Sequence, residues 1–163
     1  MVVRRAKNGF VLILTCVALT ILLAFAALGV DVARMYVIKS ELQAFTDAAA
    51  LNAALQLTGA TPRIAQARQA AAALATGPHA MKWDMGTKTI PSIAATFAQG
   101  SDEPDAKSWT ADPKDPAGYR FVRVTASVSA PLVFLRMFQA RDAAAISASS
   151  LAASTSGSAR LLE

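Results

Sequence analysis

What the chain lacks narrows it first. Across 163 residues there is one cysteine and one histidine, and only 17% of positions are charged. The single cysteine, Cys16, can close no disulfide within the chain, and no Cys/His set has metal-ligand spacing. There is no glycine-rich phosphate loop and no nucleophile–base pair that spacing would support. His79, in "TGPHAMKW", reads as a surface-loop residue rather than a base or a ligand. Asp102, Glu103, Asp105, Asp112 and Asp115 match no calcium-loop spacing and interleave with Lys107 and Lys114, so they read as a solvated loop. Trp83 and Trp109 read as core or interface packing. Basic character is also thin: of the net charge of +5, Arg4, Arg5 and Lys7 supply three. No basic face with interleaved aromatics follows, which leaves nucleic acid without support as a partner. No cofactor, metal or small-molecule substrate is implied. The chain reads as a non-enzyme.

Charge is missing altogether from one stretch. "FVLILTCVALTILLAFAALGV", from Phe10 to Val30, carries none for 21 residues. At about 1.5 Å per helical residue this covers roughly the 30 Å hydrocarbon core of a bilayer. Thr15, Cys16 and Thr20 are tolerable there, because a hydroxyl or thiol can bond back to the preceding turn. The basic cluster before the run and Asp31 after it place the N-terminus in the cytoplasm and the rest outside. A cleavable signal would use "AFA" at Ala24–Ala26, but its apolar region would be long and the helical pattern runs through the cut. A lipoprotein signal ending at Cys16 fails, since Thr15 precedes it after too short an apolar stretch. A buried core helix would need more protein around it than this chain has. The expected reading is a retained anchor with its basic segment in place.

Proline and glycine are absent from the next stretch, between Val30 and Gly59, with Pro62 behind. One continuous helix is expected from about Phe10 to Leu57. Val32, Met35, Ile38, Leu42, Phe45 and Ala49 recur at steps of three and four and draw one apolar stripe. Arg34, Lys39, Glu41, Gln43 and Asp47 fall mostly away from it, and Asp31 and Arg34 are spaced to pair on the helix surface. The stripe is expected to lie on the protein's own sheet or on another subunit's helix.

These residues resemble a family. "NGFVLILTCVALTILLAFAALGVDVARMYVIKSELQAFTDAAALNAA" is similar to the N-terminal membrane-anchor module of TadG-like proteins of the Flp (Tad) pilus-assembly system. The matching positions are Gly9, Val30, Asp31, Arg34, Tyr36, Leu42, Gln43, Asp47, Ala48, Ala49, Ala50, Leu51 and Ala54. Asp31, Arg34 and Tyr36 form a membrane-boundary motif; Gln43, Asp47 and Leu51 are further family-motif positions. The later stretches "YRFVRVTASVSAPLVFLRMF" and "AAAISASSLAA" resemble, more loosely, the C-terminal β part of short relatives. The resemblance implies a single-pass inner-membrane protein working with pilus or secretion components, or with copies of itself. Small pseudopilins of that system are cut after a glycine and carry glutamate at the fifth mature position. Here Leu14 stands at that place and Thr15 follows, a departure that TadG-like members share.

The remainder reads as a small extracytoplasmic cap. "TPRIAQARQAAAALATG" has Thr61 as N-cap, Pro62 at the first helical position and Gly77 as a stop, so a short helix is expected. Ile93–Phe97 has β character, and 101–118 is a turn-rich loop. In "YRFVRVTASVSA", Val122, Val124, Ala126 and Val128 alternate with polar residues as a strand does. "LVFLRMF" makes a short apolar turn, and Ala144–Ala153 a last strand. The expected organisation is a cytoplasmic basic segment (1–9), a transmembrane helix (10–30), its extramembrane continuation (31–57), a small α+β domain (58–153) and a flexible tail (154–163). The fold class is α+β: a long N-terminal helix packed on a small antiparallel sheet, pilin-like, with one additional short helix. The expected function is that of an anchored assembly component acting by protein–protein contacts. The alternative is a pilin-like subunit that polymerises through its long helix, and a third is an envelope domain unrelated to pili.

Overall fold

The computed structural model describes residues 4–57, 63–76, 80–100, 104–105, 108–113, 118–137, 142–155 and 158–162. Its first element, α1 (Arg4–Gln56), is one unbroken helix of 53 residues. At about 1.5 Å per residue that is on the order of 80 Å of helix. From Phe10 to Val30 no side chain is buried. By length and composition α1 is able to cross a membrane, and its most apolar window is uncovered by the rest of the chain. The core-helix reading is thereby set aside. Thr15 and Thr20 donate their hydroxyls to the carbonyls of Val11 and Cys16 at 2.8 Å, so neither proton is left unpaired in apolar surroundings.

Burial starts at Asp31 and continues to Leu57. The remaining elements are α2 (Ile64–Thr76), β1 (Lys82–Trp83), β2 (Lys88–Thr89), β3 (Ile93–Gln99), β4 (Tyr119–Pro131), a 3-10 turn (Leu135–Met137), β5 (Ala143–Thr155) and β6 (Ser158–Leu162). The last four strands form an antiparallel sheet in the order β3-β4-β5-β6, and β1 and β2 form a separate hairpin. The class is α+β. On β4 the period of two is clear: Val122, Val124, Ala126, Val128 and Ala130 are buried on the face that meets α1. Across from them in register stand Ala152, Ser150, Ala148, Ile146 and Ala144 of β5. Ile38, Leu42 and Phe45 of α1 close this core together with Phe97 of β3.

Alanine has a geometric use here. The buried residues of α2 are Ala67, Ala71 and Ala75, and they share one cluster with Ala49, Ala50, Ala53 and Ala54 of α1. Side chains at a helix–helix contact set the distance between axes, so alanine on both faces permits close approach. The outer face of the sheet carries a smaller cluster of Ala98, Phe121 and Ala153 with Trp109, Leu151 and Leu162 against it. The free edge of β3 is met at Phe97, which exchanges two backbone bonds with Thr110 at 2.8 and 2.9 Å.

Two expectations change. Residues 154–163, expected as a flexible tail, contain β6, which pairs with β5 from Leu151↔Leu162 to Thr155↔Ser158. Leu162 joins the Phe121 cluster, apolar area that a free tail would leave in water. The β1–β2 hairpin was not foreseen, since two-residue strands are too short to show alternation. Thr61, Pro62, Gly77 and His79 lie outside the described residues, as do Asp102, Glu103, Lys107, Lys114 and Asp115.

The core generates a first prediction. Leu42 is fully buried, whereas Val32 is 50% exposed. In denaturant unfolding of the full chain in micelles, followed by Trp fluorescence, Leu42→Ala should cost about 2–5 kcal/mol. Val32→Ala should stay within about 0.5 kcal/mol of the parent. Equal losses at the two positions would mean that the stripe does not form the core described.

Candidate functional site

The inner line of α1 can be traced by stepping back from Ile38. Steps of four and three arrive at Arg34 and Asp31, while Val32 lies about 120° round the helix. The inner line therefore runs Asp31, Arg34, Ile38, Leu42, Phe45, Ala49, and its first two places are charged. Val32, expected on the stripe, stands in the open, and Met35 is half-buried. At its upper end the line runs through polar residues, and the apolar Val32 and Met35 flank it.

Each charged place is filled by a directed bond. Asp31 is only 2% exposed. Its carboxylate accepts the backbone N–H groups of Val133 (3.2 Å), Phe134 (2.8 Å) and Leu135 (2.6 Å), at the start of the 3-10 turn. Those bonds, Leu135's first, hold its carboxyl below the ordinary range, against the opposing effect of burial. Arg34 does not pair with Asp31 on the surface. Its Nε and Nη2 grip the carboxylate of Asp84 at 3.0, 2.9 and 2.7 Å, a two-pronged contact that only a guanidinium makes. Lys88 adds a second cation to Asp84 at 3.2 Å. The Arg34 hydrogen bonds lower the carboxyl of Asp84 from its usual value and raise the guanidinium of Arg34 in turn.

Asp84 sits in the turn of the β1–β2 hairpin, where Asp84, Met85 and Gly86 have φ of 58, 56 and 78°. Left-handed backbone at residues other than glycine costs about 1–3 kcal/mol each, so surrounding bonds must hold it. They come from α1: Arg34 takes the Asp84 side chain, and Glu41 accepts the Met85 N–H at 3.0 Å. Thr87 closes the turn by donating its hydroxyl to the Asp84 carbonyl at 2.7 Å, and Trp83 donates its Nε1 proton to the Thr89 carbonyl at 3.0 Å.

Further along α1 the bonds go to β5. Gln43 donates to Asp47 and to Ser150 Oγ, both at 3.0 Å, and Asp47 accepts from Ser150. Thr46 Oγ1 shares a 2.7 Å bond with the same serine. Lys39 donates to the Ser147 carbonyl of β5, beyond the reach of β6. Tyr36 points away, 79% exposed, and Leu51 is half-buried. Of the two tryptophans, Trp83 is buried and Trp109 lies under the Arg123 guanidinium, 4.1 Å from its ring centroid. Asp112 is exposed and meets Arg68 at 3.4 Å. Among the described residues, no group of three His, Cys, Asp or Glu could hold a metal ion.

The arrangement fixes a membrane-length helix to a domain, and it offers the exposed face of that helix. Residues 9–56 match the family model described as "Putative Flp pilus-assembly TadE/G-like". The matched segment is α1 almost entire, and it holds Asp31, Arg34, Gln43 and Asp47, the polar residues that bind α1 to the rest. No curated protein and no solved structure matches the chain.

Two predictions follow from the bonds at Asp84 and Asp31. Arg34→Ala leaves the nearly buried Asp84 with Lys88 alone. Because Arg34 is itself 26% exposed, the loss should fall below that of a fully buried pair, on the order of 2 kcal/mol in denaturant unfolding. Arg34→Lys should recover only part of it. Both carboxyls titrate below their unfolded value, so their stabilisation is complete above about pH 4 and fades as pH falls toward the lowered native values. Unfolding midpoints measured from neutral to acid should drop below that point, and Asp31→Asn should flatten part of the drop.

Proposed function

We propose that the chain is a non-enzymatic component of Flp (Tad) pilus assembly or secretion, anchored in the inner membrane and acting through protein–protein contacts. The observation that carries the reading is the family match over α1, the helix that is both membrane-length and part of the domain core. Its basic start supports an orientation with the N-terminus in the cytoplasm and the sheet domain outside. The domain then cannot swing on a linker, because residues 31–57 are core and stalk at once. Val32, Tyr36 and Val37 lie exposed on α1 just past the span and offer assembly proteins an apolar surface of fixed orientation.

Deletion of the gene should abolish Flp pili, and the intact chain should restore them. A photo-crosslinking residue in place of Tyr36 should capture a pilus-assembly protein of different sequence. A ladder of adducts with its own copies, found in sheared filaments, would instead favour the filament-subunit reading. A periplasm-dependent reporter fused after residue 163 should be active. Activity of a cytoplasm-dependent reporter there would overturn the orientation.

A further inference from the structure

We propose that the turn between β4 and β5, residues 132–137, is a second membrane-inserting element that dips into the outer leaflet beside α1. The inference rests on the anchor reading and goes beyond it, because it gives the folded domain its own hold on lipid.

Three observations carry it. The first is exposed apolar surface where none is needed for folding. Val133 and Phe134 are 43% and 36% exposed and Met137 is 78% exposed, in a segment whose one charge is Arg136. The second is position. Phe134 and Leu135 line a crevice of about 330 Å³ with Ile21, Ala24, Phe25 and Leu28 of α1. Those four residues belong to the uncharged run that ends at Val30. The turn therefore hangs back from the domain along the span, instead of standing above it. From Leu28 to Ile21 the helix descends about 10 Å, which matches the depth at which interfacial segments bury their apolar side chains.

The third observation concerns the backbone. Irregular chain is tolerated in hydrocarbon only where its polar groups are bonded within the protein. Here the N–H groups of Val133, Phe134 and Leu135 all go to the Asp31 carboxylate. Leu132 N–H goes to the Asp142 carbonyl and Met137 N–H to the Phe134 carbonyl, both at 3.0 Å. These bonds satisfy the amides of Leu132, Val133, Phe134, Leu135 and Met137 without water, as entry into an apolar layer requires. The same carboxylate is in turn shielded from lipid by the turn. Arg136, exposed beside the apolar side chains, can reach the headgroups with its long stem in the acyl region. The crevice between turn and helix is open to an acyl chain.

Site-directed spin labels test this on the full chain with Cys16→Ala, reconstituted in phosphatidylcholine bilayers. Labels are placed at Val133→Cys and Met137→Cys, with Leu22→Cys in the span and Ser127→Cys on the exposed sheet face as references. Collision with oxygen, which concentrates in lipid, is compared with collision with a water-soluble nickel chelate. Labels at 133 and 137 should group with 22, oxygen-rich and chelate-poor, while 127 shows the reverse. Grouping of 133 and 137 with 127 would place the turn in water and overturn the proposal. Exclusion of both reagents would mean that protein, a second copy of the chain, covers the turn, and would overturn it equally. If 22 also behaves like 127, the anchor itself fails and this proposal falls with it.

Discussion

The structure depends on a single unbroken helix that is apolar on every face in one part and buried on one face in the next. From Phe10 to Val30, α1 shows uncharged, mostly apolar side chains on every face, the pattern of a helix suited to lipid. From Asp31 onward only one face is buried, and what covers it is the protein's own sheet and second helix. The change of pattern occurs within one turn, at Asp31 and Arg34. A helix that crosses such a boundary can slide or rotate, because apolar burial is nondirectional. The two charged residues at the top of the inner line remove that freedom. Asp31 is tied to backbone 102 residues later and Arg34 to a side chain 50 residues later.

The rest of the domain is arranged around those ties. The hairpin turn at Asp84–Gly86 takes a backbone that its residues would not choose alone, and α1 supplies the bonds that hold it. β5 carries a serine on its core face because Ser150 answers Gln43, Thr46 and Asp47 of α1 there. Lys39 answers the carbonyl of Ser147, on the part of β5 that β6 leaves unpaired. A lysine at such a place also discourages pairing with a foreign strand.

Much of this was legible in the sequence, and the limits have a physical cause. The uncharged run, the absence of breakers up to Gly59 and the alternation on β4 are local patterns, and local patterns survive without knowledge of partners. The lower stripe of Ile38, Leu42, Phe45 and Ala49 was visible for the same reason. Its upper end was misplaced because hydrophobicity pointed to Val32 and Met35, whereas the helical line passes through Arg34 and Asp31. Charge on a buried line makes sense only once the partners are known, and these lie across the fold. The Asp84 turn sits between strands too short to show a period. In β6, five residues after "STSG", the signal of small polar residues outweighs that of Leu162, which packs on Phe121.

The polar residues of the segment that matches the family model, Asp31 and Arg34 first among them, can therefore be assigned a physical task before any partner is known. Burying Ile38, Leu42 and Phe45 contributes about 1.5–3 kcal/mol for each side chain, and this is what holds α1 to the sheet. The polar bonds contribute less in net energy, about 0.5–1.5 kcal/mol each for an ordinary one, since each replaces a bond to water. Their value lies in direction. A carboxylate that needs three particular N–H groups, and a guanidinium that needs one particular carboxylate, are satisfied at a single rotation and a single height of the helix. Rotate α1 by one residue, about 100°, and Asp31 loses the N–H groups of 133–135 while Arg34 loses Asp84. The penalty for a buried, unpaired charge then falls on every wrong arrangement and on none of the right one. Energy from the apolar line and orientation from the polar pair together hold a membrane-length helix to its domain at one fixed rotation.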